Sequence, residues 1–508
     1  DLHSFPTRRS SDLFVKTPQS ETHLEQLIRI AYEAMRERGL APAFPSTVID
    51  AVRRIDGPER PEPADRDLRA LPWSSIDNDD SEDLDQLSVA LPGGEGAIRV
   101  LVAIADVDGL VPLGSVIDRH AYINTTSVYP PGHVFPMLPE RLSTDLTSLD
   151  PGEDRVAIVT EMEVDGEGRL VSEEIYRAYV RNHAKLAYNT VGPWLEEKAP
   201  VPASVASVPG LAENLKLQNR AAKRLRRLRE ENGALNFETV QGNAIFKEGR
   251  IVELRVEERN DAKDLIEDLM IAANGVAART LKSNAFPTLR RVVKTPKRWE
   301  RIVSVAESYQ TRLPKKPDSK ALNAFLEEQR QKDPRRFPDL SLTIIKLLGS
   351  GEYVAEKAGE SGEGHFGLAV KDYAHSTAPN RRYPDLITQR LLKAFIAGGE
   401  SPYTFAQLTR MAERVTKMED DAAKVERKVY KAAAALLLQD RIGETFDGVV
   451  TGAAEKGYWV RLLSVPVEGK IVQGGRGIDV GDFVRVALVS VDAEAGFLDF
   501  RRVPGRRP

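Results

Sequence analysis

Six acids crowd the stretch Ser75–Gln86 (SIDNDDSEDLDQ): Asp77, Asp79, Asp80, Glu82, Asp83 and Asp85. Carboxylates held this close repel one another unless a cation neutralises them. Oxygen donors of this kind select Mg²⁺ or Mn²⁺ rather than zinc. A solvated loop is the other thing an acidic run describes, but this one lies between apolar Leu71-Pro-Trp and Leu87-Ser-Val-Ala-Leu. An EF-hand is excluded, because Glu82 stands where the loop would need glycine. The opposite charge collects at Lys216–Arg229, which has seven Lys and Arg and no acid. Helical spacing spreads Arg220, Lys223, Arg224 and Arg227 over one broad face. Such a face is either solvated or holds nucleic-acid phosphates without regard to sequence. The seven histidines form no H-x3-H or H-E-x2-H pattern.

These residues need elements to hold them. Leu87–Leu91, Ile98–Ile104, Val156–Val164 and Leu170–Tyr179 are apolar or alternating runs bounded by turns, which predicts strands of a substantial sheet. Helical periodicity covers Glu213–Arg229, Asp261–Lys282, Leu386–Ile396 and Tyr403–Leu438. Leu24, Leu27, Ile28, Ala31 and Met35 mark a helix near the N-terminus, with a break at Gly39–Pro42 and then a second short helical pattern. This pair reads as a packing appendage or as a helix-turn-helix. Glu59–Asp67 has the Pro and charge content of a linker. After Asp440 come five short runs, Phe446–Thr451, Gly457–Leu463, Val467–Val472, Asp482–Val491 and Phe497–Arg502, the strand count of an OB barrel. Tyr458, Trp459, Phe446 and Phe483 offer faces for bases or fill its core.

The chain has 508 residues, 72 Lys and Arg against 76 Asp and Glu, and no cysteine. Near-cancelling charge excludes a protein that coats nucleic acid by bulk positive charge. Without cysteine there is no disulfide framework, thiolate zinc site, Fe–S cluster or Cys nucleophile. No run approaches the ~18–20 apolar residues of a membrane span. The expectation is a cytoplasmic protein with no membrane association and no obligate protein partner. Asp1–Leu13 is polar and differs in texture from the rest of the chain; it resembles a translated sequencing-adapter artefact and is set aside.

SIDNDDSEDLDQLSVAL resembles the acidic signature of the RNase II/RNB family of 3′→5′ exoribonucleases, whose pattern is D-x5-D-x-D-D. Asp77, Asp83 and Asp85 match its first three positions, and Gln86 stands at the fourth. The resemblance extends through Ser127-Val-Tyr-Pro-Pro-Gly, Leu142–Leu149, Ala184–Tyr188, Gly233–Phe237 and Leu265–Asn274. It closes on YAHSTAPNRRYPDLITQR at Tyr373–Arg390, similar to the family's S-P-x-R-[RK]-Y-x-D block, with Ala378 in place of its Ser. The terminal barrel is similar to an S1 domain.

The resemblance implies an α+β catalytic body with a mixed sheet and helices over residues 71–440. A small helical unit and linker over 14–70 would precede it, and an S1/OB barrel over 441–508 would come after it. The stretch 14–70 is too short for two cold-shock barrels. The implied activity is hydrolysis of single-stranded RNA from its 3′ end to nucleoside 5′-monophosphates, with Mg²⁺, or Mn²⁺, held by Asp77, Asp83, Asp85 and Gln86. By the same carry-over Asp85 is coupled to the attacking water and Arg381 to the scissile phosphate. Tyr129 and Phe237 match base-clamping positions, and Tyr188 and Glu267 match positions around the terminal nucleotide and its ribose. The alternative is an RNA-binding relative inactivated by the neutral amide of Gln86. His365 and His375 accompany the last block, in packing or in phosphate contact.

Overall fold

The computed structural model describes residues 21–238, 242–256, 258–360, 362–454 and 457–504; Asp1–Leu13 lies outside them. In chain order the helices are α1 (His23–Glu37), α2 (Ser46–Arg53), α3 (Val116–Asn124), α4 (Tyr188–Leu195), α5 (Ala203–Ala206), α6 (Leu211–Glu231), α7 (Asp261–Ser283), α8 (Trp299–Ser308), α9 (Ser319–Lys332), α10 (Phe337–Leu348), α11 (Tyr383–Ile396) and α12 (Phe405–Leu438). Strands β1 (Arg66–Asp67), β2 (Ser74–Asp77), β3 (Gln86–Pro92), β4 (Ile98–Ala105), β5 (Asp154–Val164), β6 (Leu170–Arg181) and β7 (Ala184–Ala187) form one mixed sheet in the order β1-β6-β5-β4-β3-β2-β7. Two antiparallel pairs come next, β8 (Gly242–Lys247) with β9 (Arg250–Val256) and β10 (Thr288–Val292) with β11 (Glu352–Glu356). β12 (Thr445–Ala454), β13 (Gly457–Leu462), β14 (Glu468–Gln473), β15 (Phe483–Asp492) and β16 (Phe497–Arg502) close a barrel.

The predicted α+β class, the four sheet strands, the four long helices and the five barrel strands are all present. β4 is buried at every position but Arg99, as a strand covered on both faces must be. β2 meets β3 only at Ser74↔Ser88, so the edge of β3 beyond that point lacks a strand partner. Helix α6 supplies one instead. Asn214 accepts from the Ala90 N–H (3.1 Å) and donates to the Ala90 carbonyl (2.7 Å), and the Ser88 hydroxyl donates to Gln218 (2.7 Å). These bonds satisfy backbone groups that would be costly to bury alone.

Two open alternatives are decided, and three helices are added. The first two helices do not form a helix-turn-helix: Leu27, Ile30, Ala31 and Met35 of α1 share a core with α12, whereas Val48 and Val52 of α2 join the core of the sheet. The barrel's Phe446 is buried against Phe500 and offers no face to a base. Helices α8–α10, not anticipated from periodicity, build a small core of their own around Trp299, Phe325 and Phe337. The linker lies against the sheet, where Glu59 (3.2 Å), Glu62 (2.8 Å) and the buried Asp106 (3.2 Å) converge on Arg177.

Candidate active site

The acidic run is the turn from β2 to β3. Parallel pairing of β2 with β7 sets Asp77 opposite Ala187, and the two strands pin the turn between them. Lys185 donates to the Ser81 carbonyl and Asn189 to Asp79. Ser148 accepts from the Leu84 N–H (3.0 Å), and the Leu149 N–H donates to the Leu84 carbonyl (3.0 Å). Asp77, Asp83 and Asp85 are therefore held at or below the surface, while Asp79, Asp80 and Glu82 stay exposed.

Asp85 is 2% exposed, and one of its oxygens accepts from Arg381 Nε at 2.9 Å while Oδ1 is buried with no partner. Asp77 accepts from the Gln86 amide N–H at 3.2 Å through Oδ1, and its Oδ2 is likewise buried and unpartnered. Burial pushes Asp85 up to about 7 and Asp77 up to about 6, against the pull of Arg381. Asp83 is raised in the same way. Two buried carboxyl oxygens without a hydrogen bond are expensive in a folded protein.

Arg381 comes from a segment 296 positions away in sequence. The Ser127 N–H donates to the Arg381 carbonyl and the Tyr383 N–H to the Thr125 carbonyl, both at 2.9 Å, so the Arg block and the segment before Tyr129 form one ladder. Asp385, fully buried, accepts from the Ala378 N–H (2.9 Å) and from Arg382 (2.6 Å), which fixes the turn that presents Arg381. The Arg381 side chain is 41% exposed, open to an incoming anion. Tyr129, 41% exposed, has its hydroxyl within electrostatic reach of Arg381, Asp83 and Asp85, and burial pushes that hydroxyl up to about 12.

A family model described as RNB domain matches residues 65–398, and one described as RNase II-type exonuclease C-terminal S1 domain matches 444–503. The chain belongs to the RNB exoribonuclease family. Over 499 residues it is 31% identical to ribonuclease R of Aquifex aeolicus, with 92% of this chain and 69% of that protein covered. The chain spans 60–69% of the length of the first curated relatives it matches. Among solved structures it is similar to Mycoplasma genitalium RNase R in complex with ribose-methylated single-stranded RNA (TM-score 0.85, 24% identity, 95% of this chain and 78% of that one). It also resembles yeast Ssd1, a pseudonuclease (TM-score 0.67, 15% identity, 91% and 59%). Likeness at these identities concerns the fold.

In this RNB protein the remaining anticipated residues form a second group around the start of α7. Arg259 donates to Glu267 (2.9 Å) and to Asn236 (3.3 Å), the neighbour of Phe237. Asn260, the N-cap of α7, donates to the Tyr188 carbonyl (3.1 Å). Tyr188 directly succeeds Ala187, the register partner of Asp77, so the two groups meet through β2 and β7. Phe237 packs partly on the core of α8–α10. Glu267 pairs with Arg259 rather than with Lys263, its partner by helical spacing.

Most of the basic helix's cations are taken up by the fold, while Arg220 is exposed and, among the described residues, has no ion pair. Arg226 and Arg229 pair with Asp268, Lys223 with Asp261 (2.6 Å), and Arg224 and Arg227 donate to the carbonyls of Gly96 (3.0 Å) and Gly166 (2.8 Å). His375 is bonded through Nδ1 to the Tyr353 hydroxyl (2.7 Å), and loss of solvent around its ring holds it well below its usual pKa; burial brings His365 to about 4. Both are neutral packing residues. Among the described residues no helix is long and apolar enough to cross a membrane.

Among the described residues no three His, Asp or Glu side chains close into a finished ion cage. The donor set nevertheless fits a hard cation. Asp77 Oδ2 and Asp85 Oδ1 are buried acceptors without donors, and turning the Gln86 amide over would present its oxygen in place of the N–H now facing Asp77.

Proposed function

We propose that this RNB protein hydrolyses single-stranded RNA from the 3′ end and releases nucleoside 5′-monophosphates, with residues 71–440 as the catalytic body and 441–508 as an RNA-holding barrel. The observation that supports it most is the pairing of buried, half-satisfied Asp85 with an exposed Arg381, within electrostatic reach of the Tyr129 hydroxyl. Asp77, Asp83, Asp85 and the Gln86 oxygen would hold Mg²⁺ or Mn²⁺, which when bound supplies charge neutralisation and an acidified water. Arg381 would take the scissile phosphate and stabilise the charge that develops on it, since a guanidinium donates to two oxygens at once. Asp85, relieved of that ion pair, then serves the attacking water. Tyr129 and Phe237 stack the terminal bases, an interaction indifferent to base identity. Tyr188 and Glu267 face the terminal ribose, whose 2′-hydroxyl separates RNA from DNA. The Mycoplasma structure with single-stranded RNA is consistent with that substrate, and a cytoplasmic setting belongs to the same proposal.

Gln86 favours one competing reading. An amide where the family signature has Asp removes a negative charge from the cation site, and a protein that binds RNA without cutting it would result. End-labelled single-stranded RNA incubated with the folded protein and Mg²⁺ decides between them. Stepwise release of labelled mononucleotide is expected; tight binding with no release would overturn the hydrolase.

A further inference from the structure

Glu426 lies midway along α12, 297 positions from Tyr129 in sequence, and accepts the backbone N–H of Tyr129 at 2.8 Å. The loop it reaches is short of ties of its own. Val128 and Phe135 bond each other in both directions at 2.9 Å and close its base. Beyond Tyr129 come Pro130 and Pro131, which have no N–H to give. The Tyr129 N–H is thus the backbone donor at the loop's turn-out, and Glu426 is its acceptor. Burial raises the Glu426 carboxyl, and the Tyr129 N–H is the contact that opposes this; among the described residues no Lys or Arg forms an ion pair with it. A half-buried carboxylate kept without a counter-ion is a costly way to build a helix face unless its hydrogen bond matters. The same helix seats α1 through Val425 and Val429, and the barrel through Ala434, Ala435 and Leu438. The aromatic loop is therefore fastened to the rod that also carries the barrel.

We infer that Glu426 is a positioning residue for RNA: through the Tyr129 N–H it fixes where Tyr129 stands relative to Arg381 and Asp85. This rests on the proposed nuclease function only in that Tyr129 must meet a 3′-terminal base. Removing the acceptor frees the loop beyond Val128, while the bonds from Ser127 to Arg381 and from Tyr383 to Thr125 stay in place, so the effect belongs to RNA capture rather than to bond cleavage.

The test uses the full chain and single-stranded RNA carrying 2-aminopurine at its 3′ end, whose fluorescence is quenched by stacking. Tyr129→Ala should abolish the quench, and Glu426→Ala should weaken it. Glu426→Ala should also raise KM by about 3- to 10-fold, the loss of one hydrogen bond, with kcat within about 2-fold. Glu426→Gln, which keeps an acceptor oxygen, should restore both. Tyr129→Ala/Glu426→Ala should be no worse than Tyr129→Ala alone. Glu426→Leu replaces the alanine variant if that one fails to fold. Wild-type quench and KM in Glu426→Ala, additive effects in the double variant, or a defect that Glu426→Gln does not repair would each overturn the assignment. Wild-type protein that quenches but releases no mononucleotide would instead remove the nuclease reading, and the quench series would still decide the role of Glu426.

Discussion

The turn at Ser75–Gln86 and the Lys216–Arg229 stretch of helix α6 each carry charge of a single sign, one acidic and one basic, and the fold treats them in opposite ways. Across α6, carboxylates and carbonyls from β-turns and from α7 take up Arg224, Arg226, Arg227 and Arg229. At the acidic turn a single guanidinium reaches Asp85, and two buried oxygens are left without a donor. A charge the fold neutralises is architecture; a charge it buries and leaves short of partners awaits something from outside. The contrast is one of partners, since both stretches are equally conspicuous as composition.

Asp85→Asn should break the comparison hardest. The amide keeps the shape and a bond to Arg381 but removes the charge, and turnover should fall on the order of 10³-fold while RNA binding persists. Undiminished release of mononucleotide would refute the role of Asp85. The same variant reads the electrostatics directly. In cation-free protein Asp85 titrates near 7, against about 4 when unfolded, so the folded state binds the extra proton in between. The contribution of Asp85 to stability is then full below pH about 4 and is lost as pH rises through about 7, opposite to a carboxylate stabilised by its ion pair. Melting temperatures taken in chelator from pH 4 to 8 should converge on the variant's at acid pH and drop below them at neutral pH. Parallel curves would show that Asp85 is not strained in the free protein.

Arg226→Ala should give the next largest effect, and on stability rather than activity. Asp268 is 1% exposed as a side chain, and burial lifts it to about 6 even with two guanidinium partners. Deleting one leaves a buried charge short of compensation, at a cost of about 2–4 kcal/mol in denaturant unfolding. A change below ~0.5 kcal/mol would mean that the network is not structural.

Gln86→Asp should sharpen the acidic side by about tenfold. A fourth carboxylate beside Asp77, Asp83 and Asp85 raises the demand for a cation, so the Mg²⁺ concentration for half-maximal turnover should fall about 10-fold, worth about 1.4 kcal/mol. The metal-induced rise in melting temperature should move to lower Mg²⁺ alongside it. An unchanged Mg²⁺ requirement would place Gln86 outside the cation site and return it to its present part as a donor to Asp77.

Range decides how much of the molecule can be read from its sequence. β4 and α12 declare themselves through local periodicity, and the barrel through evenly spaced strands. Helices α8–α10 do not: α9 (SKALNAFLEEQRQK) is so polar that its buried Leu322, Phe325 and Leu326 hardly mark a face. At the site, Asp77, Asp83 and Asp85 are visible because they are neighbours, and Arg381 only through the resemblance of its block. The fate of α6 was illegible because its partners are distant; Asp268 lies 42 positions from Arg226, and Gly166 lies 61 from Arg227. Glu426 left no signal at all, being one more charge on a long amphipathic helix.

The smallest effect is the most discriminating for the basic side. Lys223 pairs with Asp261 at 2.6 Å, and its side chain is 54% exposed, so it is an α6 cation that could leave its partner for a phosphate. If α6 is architecture, Lys223→Ala costs no more than ~1 kcal/mol of stability, as exposed pairs do. Its RNA affinity should stay within about 2-fold of wild type, and the slope of log K against log salt should not change. A lysine that does neutralise a phosphate would instead lower that slope by roughly 0.7 for single-stranded RNA. Binding titrations at four salt concentrations separate the two outcomes. A reduced slope would return α6 to the RNA path and make the two charged stretches halves of one interface.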